Sequence, residues 1–118
     1  MKNITVAIIT ADGTLSFKVV PNTLKSLQGL VGGHIEVTTA PFIPLAGIIR
    51  PVCIVNEEGI LDGLPMNSLL PMFFGTVVIC SARGEEFDSI MESTAKQIAG
   101  YMVHENESHS NRTGGGRR

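Results

Sequence analysis

The sequence predicts an α+β fold with an antiparallel or mixed β-sheet, one short helix and a longer C-terminal helix. Short apolar segments that alternate with polar residues, a pattern typical of strands, recur up to residue 80. Two other segments, one in the twenties and one after residue 84, repeat apolar residues every three or four positions, as helices do. At 118 residues the chain can bury one core, so we expect a single domain over residues 1–104.

The first elements are predicted to be a β-hairpin and a short helix. Ile4–Ile9 and Leu15–Val20 flank Asp12–Gly13, a pair typical of tight hairpin turns. Asn22 can cap the helix that follows. Gly32–Gly33 is expected to end it, since glycine readily adopts the left-handed conformation found at helix C-termini. The apolar face of this helix comprises Leu24, Leu27, Leu30 and Val31.

Three further strands and a long helix are predicted downstream. The strand segments are His34–Thr38, Val52–Val55 and Phe74–Cys80. The last of these has the highest β-propensity and is expected to be a central strand. Glu85–His104 is the longest helical pattern, with apolar positions at Phe87, Ile90, Met91, Ala95, Ile98, Met102 and Val103. Residues 105–118 contain no apolar side chain and are expected to form a disordered polar tail.

The composition restricts the class of protein. Basic and acidic residues number 9 and 11, for a net charge of -2, which disfavours broad electrostatic wrapping of nucleic acid, since that needs a dense basic stripe. No apolar segment approaches the ~20 residues of a membrane span. Charged residues make up 17 % of the chain, which favours a homo-oligomer because a small monomer of low charge exposes apolar surface. We expect a cytoplasmic protein in which Cys53 and Cys80 are buried free thiols.

The segment Pro41–Pro51 is unusually apolar for a loop. Its prolines disfavour a central strand, because proline has no N–H to donate to a strand ladder. Its aliphatic residues disfavour full exposure to water. We therefore expect this loop to fold over the core or to meet another subunit.

The stretch Asn56–Asn67, NEEGILDGLPMN, contains the first candidate site. Asn56–Gly59 is predicted to be a tight turn that joins the preceding strand to Ile60–Leu61 in a second hairpin. In such a turn the asparagine side chain bonds to nearby backbone and the glycine takes a positive φ. Glu57 and Glu58 would point to opposite faces, which does not suit a shared catalytic role.

Two asparagines and two arginines are the candidate ligand-binding residues. Asn56 and Asn67 offer amides that can read a nucleobase edge or a ribose hydroxyl. The alternative for Asn67 is a side chain that closes its own loop. Arg50 and Arg83 each adjoin an apolar strand and suit phosphate, more strongly if the site forms across subunits. The alternative for each is a solvated or ion-paired arginine.

The sequence contains no signature of catalysis or metal binding. It has no metal-ligand spacing, no nucleophile–base arrangement and no dinucleotide fingerprint. We therefore expect no cofactor, no metal and no enzymatic activity.

Three ordered motifs resemble a family of small phage and mobile-element proteins that carry a domain of unknown function. The motifs are LKSLQGLVGGHIEV, NEEGILDGLPMN and FFGTVVICSARGEEFDSI, and the resemblance covers residues 4–90. The matching residues are Leu24, Leu27, Gln28, Val31, Gly32, Gly33, Ile35, Glu36, Asn56, Glu57, Glu58, Gly59, Leu61, Gly63, Leu64, Pro65, Asn67 and Gly75. Pro41–Pro51 and the tail depart from the family pattern, so contacts with a partner there are not carried over.

The resemblance implies a phage accessory protein, a class that often counters bacterial defence. We therefore expect a non-enzymatic homo-oligomer that sequesters a nucleotide-like ligand, with the two asparagines reading base or ribose and the two arginines holding phosphate. The alternative is an inhibitor of a host protein that acts through the acidic turn and the apolar loop. The carboxylates of Glu57, Glu58 and Asp62 favour this alternative, because they would repel a phosphate.

Overall fold

The computed structural model describes residues 2–39 and 49–100. Its elements are β1 (Asn3–Ile9), β2 (Leu15–Pro21), α1 (Leu24–Val31), β3 (Ile35–Thr39), β4 (Ile49–Asn56), β5 (Val77–Arg83), β6 (Glu86–Asp88) and a second helix, α2, over residues 92–100. The strands form one antiparallel sheet in the order β2-β1-β5-β4-β3, and β6 pairs with the end of β5. The α+β class is confirmed, and β5 is the central strand that the sequence predicts.

Alternating side chains divide the core between the two faces of the sheet. On the first, the α1 face, the buried residues are Ile4, Val6, Ile8, Val52, Ile54, Val78, Cys80 and Ala82, which pack with Leu27 and Val31 of the helix. On the second, the α2 face, they are Ala7, Ile9, Cys53, Val55, Val77 and Ile79, which pack with Leu69, Leu70 and Ile98. Each helix therefore covers one face of the sheet.

Cys53 and Cys80 are buried free thiols, as predicted. Cys53 belongs to the α2 face and Cys80 to the α1 face, so the sheet separates the two sulfur atoms. Burial raises the pKa of each thiol to about 12, because apolar surroundings disfavour the thiolate.

The helix α1 begins one residue later than the sequence suggests. Thr23 is the N-cap, and its Oγ1 accepts a hydrogen bond from the Ser26 N–H at 3.1 Å. Asn22 instead donates through Nδ2 to the Phe87 carbonyl at 2.9 Å, which ties the end of β2 to β6. Gly32 ends the helix as predicted, at φ 81° with its N–H bonded to a carbonyl of the last helical turn at 2.8 Å.

The prediction of one helix over Glu85–His104 is wrong at its start. The chain turns back at Gly84, which has a φ of 63°, and forms β6 against β5. A Gly-X pair is typical of two-residue hairpin turns. Phe87 packs on the α1 face and Ile90 on the α2 face, so their helical spacing does not reflect one helix face. Helical backbone begins at residue 92.

The predicted second hairpin does not form. After Asn56 the chain makes a series of turns instead of a return strand, and its one isolated bridge in the described residues joins Met66 to Phe74. Single backbone hydrogen bonds to the segment before β5, such as those from Asn67 N–H to the Phe73 carbonyl and from Gly75 N–H to the Pro65 carbonyl, take the place of strand pairing here.

Pro51 lies inside β4, although the sequence predicts a loop there. It lies opposite Ser81 of β5. The described β3–β4 ladder ends at the pair Thr39 and Val52, so Pro51 lies just beyond it and removes no donor from that ladder. The rest of the apolar loop and the predicted tail lie outside the described residues. In the described part of the chain, neither helix is long and apolar enough to cross a membrane.

Candidate functional site

A tight turn follows β4, and the Asn56 side chain bonds to its backbone as the sequence predicts. Asn56 Oδ1 accepts a hydrogen bond from the Glu58 N–H at 2.7 Å, and the Asn56 carbonyl accepts one from the Gly59 N–H at 3.3 Å. The Glu57 N–H bonds to the His34 carbonyl at 2.8 Å. The backbone and the asparagine therefore hold the turn, and the side chains of Glu57 and Glu58 are exposed.

The Asn56 side chain also links this turn to α1. Its Nδ2 donates to the Val31 carbonyl at 3.3 Å, one of the carbonyls that a helix end leaves without an intrahelical partner. Gly33 lies against this amide, since a Cβ at Gly33 would be 2.9 Å from Nδ2. With 6 % exposure and both amide atoms bonded, Asn56 joins a strand, a turn and a helix.

The glycine of the turn is needed for a different reason from the one predicted. Gly59 does not have a positive φ. A Cβ at Gly59 would instead lie 2.7 Å from the Phe74 carbonyl oxygen. The Gly59 carbonyl also accepts a hydrogen bond from the Leu64 N–H at 2.9 Å. Close packing of the turn on the backbone before β5 therefore excludes a side chain here.

Asn67 is completely buried, and backbone groups occupy its amide. Its Nδ2 donates at 3.2, 3.2 and 3.0 Å to the carbonyls of Ile9, Thr10 and Gly75. Its Oδ1 accepts at 3.1 and 3.0 Å from the N–H groups of Leu69 and Leu70. This geometry favours the alternative in which Asn67 closes its own loop, because it leaves no donor free for a ligand.

Arg50 and Arg83 do not share a site within one chain. Arg50 lies opposite Ala82, on the α1 face, and the next residue along β5, Arg83, points to the α2 face. Arg83 Nε lies 3.8 Å from Asp88 Oδ2, so it is an ion-paired arginine. Arg50 is exposed and forms no salt bridge with a described carboxylate. A phosphate site that uses both would need a second chain.

A groove of about 400 Å³ opens beside the turn, between β3, the end of β4 and the segment before β5. The residues that define it are Glu36, Glu57, Glu58, Ile60, Leu61, Met72, Phe73 and Phe74. We call it the acidic groove, because its lining contains these three glutamates and no Lys, Arg or His.

The acidic groove combines exposed apolar side chains with unpaired carboxylates. Ile60 and Leu61 are 71 % and 83 % exposed, and Met72 is 53 % exposed. The three glutamates are exposed and form no salt bridge with residues in the described ranges. Large apolar side chains in water beside free charges are typical of an interaction surface.

Sequence reasoning identified the acids of this groove but missed its apolar part. The predicted hairpin places Ile60–Leu61 in a strand, whereas the Gly on one side of this pair and the Asp-Gly on the other are typical of turns. Met72 and Phe73 reach the groove because the chain folds back on itself. The Gly75 N–H bonds to the Pro65 carbonyl at 2.7 Å, a contact with no signature in the sequence.

Comparison with known proteins identifies the family of the chain. No group of three or more His, Cys, Asp or Glu side chains within residues 2–39 and 49–100 is placed to hold a metal ion. No curated protein and no solved structure matches the chain. A family model described as a domain of unknown function, DUF3846, matches residues 3–102. The chain therefore belongs to the DUF3846 family.

Proposed function

We propose that this chain is a non-catalytic binding protein whose acidic groove binds a basic, apolar segment of another protein. The observation that supports this proposal best is the exposure of Ile60, Leu61 and Met72 beside three unpaired glutamates. Apolar patches with polar rims mark interaction sites. Carboxylates around such a patch favour partners that carry Lys or Arg and disfavour acidic ones.

The same charges disfavour a phosphate-bearing ligand in the acidic groove. Phosphate would lie near Glu36, Glu57 and Glu58 with no cation in the lining to offset the repulsion. The amides of Asn56 and Asn67, for which the sequence predicts a role in reading a base, already bond to backbone groups. For this groove, we therefore prefer a protein partner to a nucleotide.

The resemblance to phage accessory proteins supplies a setting for this activity. We propose that the chain acts in the cytoplasm of a bacterial host and inhibits a host protein, such as a defence factor, by covering a basic and apolar part of its surface. The apolar loop at residues 40–48 lies outside the described residues, and the proposal does not depend on it.

The test is capture from a lysate of the cells in which this chain occurs, with three forms of the protein. These are the wild type, Glu57→Lys/Glu58→Lys, and the control Glu85→Lys/Glu86→Lys. The control makes the same change in charge on exposed residues at the β5–β6 turn, away from the acidic groove.

We expect a protein that the wild type and the control retain and that the groove variant loses. Its retention should weaken as salt concentration rises, because salt screens exposed charges. Capture of the same proteins by all three forms, or equal loss in both variants, would contradict the proposal.

The second candidate function is sequestration of a nucleotide-like ligand by a homo-oligomer. The observation in its favour is Arg50, which lines a second groove of about 480 Å³ between β3 and the β5–β6 turn. Glu85 and Glu86 line the same groove, so a second copy would have to supply more positive charge. Native mass spectrometry with linear and cyclic nucleotides tests this candidate. A nucleotide retained by the wild type and lost in Arg50→Ala would support it, and spectra without any adduct would count against it.

A further inference from the structure

We propose that two copies of the chain pair through β2, so that the sheet continues across a homodimer. In the part of the chain that the structure describes, β2 pairs only with β1 and forms one edge of the sheet. An edge strand presents unpaired N–H and C=O groups that a second strand can bond. β3, which carries Glu36 of the acidic groove, forms the opposite edge. This inference therefore does not rest on the proposed function.

The hydrogen bonds of the β1–β2 hairpin define which residues of β2 face outward. The Asn22 N–H bonds to the Lys2 carbonyl at 2.8 Å, and the Thr10 N–H to the Thr14 carbonyl at 3.0 Å. Bonded and non-bonded pairs alternate along an antiparallel ladder, so the even-numbered residues of β2 bond to β1. The groups that point away from β1 are the N–H and C=O of Leu15, Phe17 and Val19. Pro21 has no N–H, and its C=O accepts a hydrogen bond from the Thr23 N–H at 2.9 Å.

The outward residues also carry the exposed apolar side chains of this strand. Phe17 and Val19 are 48 % and 62 % exposed, and both lie on the α2 face, opposite Ala7 and Thr5 of β1. A second strand added here would bond to the free backbone groups and bury part of these side chains at the same time. β2 thus combines unpaired backbone N–H and C=O groups along its outer edge with exposed apolar side chains on one face.

Charge and proline favour a two-fold axis at Phe17 over one at Lys18. A two-fold axis at Phe17 pairs Phe17 with Phe17 of the second copy and Leu15 with Val19, and all of these residues have free N–H groups. It also sets Lys18 opposite Ser16. An axis at Lys18 would instead oppose two lysines directly, which is unfavourable, and would set Pro21, which has no N–H, in a bonded pair. We therefore assign the axis to Phe17.

Disulfide trapping tests this register directly. In Phe17→Cys the two new cysteines would form a hydrogen-bonded pair with Cα atoms about 5.5 Å apart, within the range of about 4.4–6.8 Å that disulfides span. In the control Lys18→Cys the cysteines would be offset by two residues along the strands and lie roughly 8 Å apart. The native thiols are buried and do not compete. We expect rapid covalent dimers of Phe17→Cys only. Faster trapping of Lys18→Cys would overturn the register.

Sedimentation equilibrium tests the interface without cross-linking. Phe17→Glu opposes two like charges at the axis and should weaken dimerisation by about tenfold or more. Lys18→Glu, a change at another exposed position of the same strand, should leave dimerisation within about threefold of the wild type, and circular dichroism should show both variants folded. A wild type that stays monomeric up to about 1 mM, or a dimer that Phe17→Glu leaves unchanged, would overturn the proposal. A monomer that binds only foreign extended peptides along β2 would also overturn it.

Discussion

At the scale of single residues, the buried Asn67 joins several segments of the chain through hydrogen bonds. Its amide bonds to the carbonyls of Ile9 and Thr10 at the end of β1, to the carbonyl of Gly75 two residues before β5, and to N–H groups of its own loop. Of these segments, only the end of β1 is regular secondary structure where it contacts Asn67. The asparagine therefore supplies the hydrogen bonds that a strand ladder would otherwise supply.

Asn67→Ala should destabilise the protein by about 3 kcal/mol or more, because it leaves several buried carbonyl and N–H groups without partners. Urea denaturation monitored by circular dichroism measures the change in the free energy of unfolding. Ser68→Ala, at an exposed neighbouring position, is the matched control and should change it by less than about 0.5 kcal/mol. Equal stability of Asn67→Ala and the control would show that these hydrogen bonds do not hold the loop.

Asp88 gives the stability of the protein a dependence on pH. The Ser89 N–H, bonded to Oδ1 at 2.8 Å, and Lys2, at 3.2 Å, lower the pKa of Asp88 below the ordinary value of 3.8. A depressed pKa in the folded state stabilises the fold at pH values above 3.8, and this contribution is lost as pH falls through the folded pKa.

Asp88→Asn should therefore be less stable than the wild type near neutral pH, and the difference should shrink as pH falls below 3.8. Urea denaturation of both forms across this range measures it. Asp62→Asn changes an exposed aspartate without a described ion pair and serves as the control. A difference between Asp88→Asn and the wild type that stays constant with pH would contradict this assignment.

Between elements, the junction of α1, β3 and β4 depends on two residues that fit each other. Gly33 follows the helix C-terminus, and Asn56 ends β4 and bonds back to the Val31 carbonyl. The two residues lie too close for a side chain at position 33. This contact links the Gly-Gly that follows α1 to the Asn-Glu-Glu-Gly turn that follows β4.

A double-mutant cycle measures this fit. Gly33→Ala should destabilise the wild type by about 1–2 kcal/mol, because its Cβ displaces the Asn56 amide. In an Asn56→Ala background the same change should cost at least about 1 kcal/mol less, since the obstructing atoms are gone. Additive effects of the two substitutions would contradict the contact.

The elements also show how far the sequence predicts this fold. The Asp-Gly hairpin, α1 with its glycine end and the central strand β5 follow from local signals, and all are present. The helix predicted from Glu85 fails because apolar residues of β6 and of the segment before α2 happen to follow helical spacing. The loop from Leu64 to Gly75 is held by Asn67 and by single long-range hydrogen bonds, which leave no periodic pattern. The same loop completes the apolar side of the acidic groove. The sequence therefore predicts the acidic residues of the site but not its apolar residues.

Across the whole molecule, the two edges of the sheet present different surfaces. The β3 edge borders the acidic groove, with its exposed Ile60 and Leu61. The β2 edge has the exposed side chains of Phe17 and Val19 and backbone N–H and C=O groups that pair with no other described strand. A dimer through β2 would place the two acidic grooves at opposite ends of the continuous sheet, where each is free to bind a partner.

The most direct test of the acidic groove is an NMR titration that follows the backbone amides of the labelled protein with two probes. One probe is a peptide of alternating Lys and Leu, and the other is a cyclic dinucleotide. We predict that the peptide shifts the amides of Glu57–Asp62 and Phe73–Phe74, that Glu57→Lys/Glu58→Lys removes these shifts, and that the dinucleotide leaves these amides unchanged. Shifts from the dinucleotide around Arg50, with none from the peptide at the groove, would contradict this account and favour a nucleotide-binding protein.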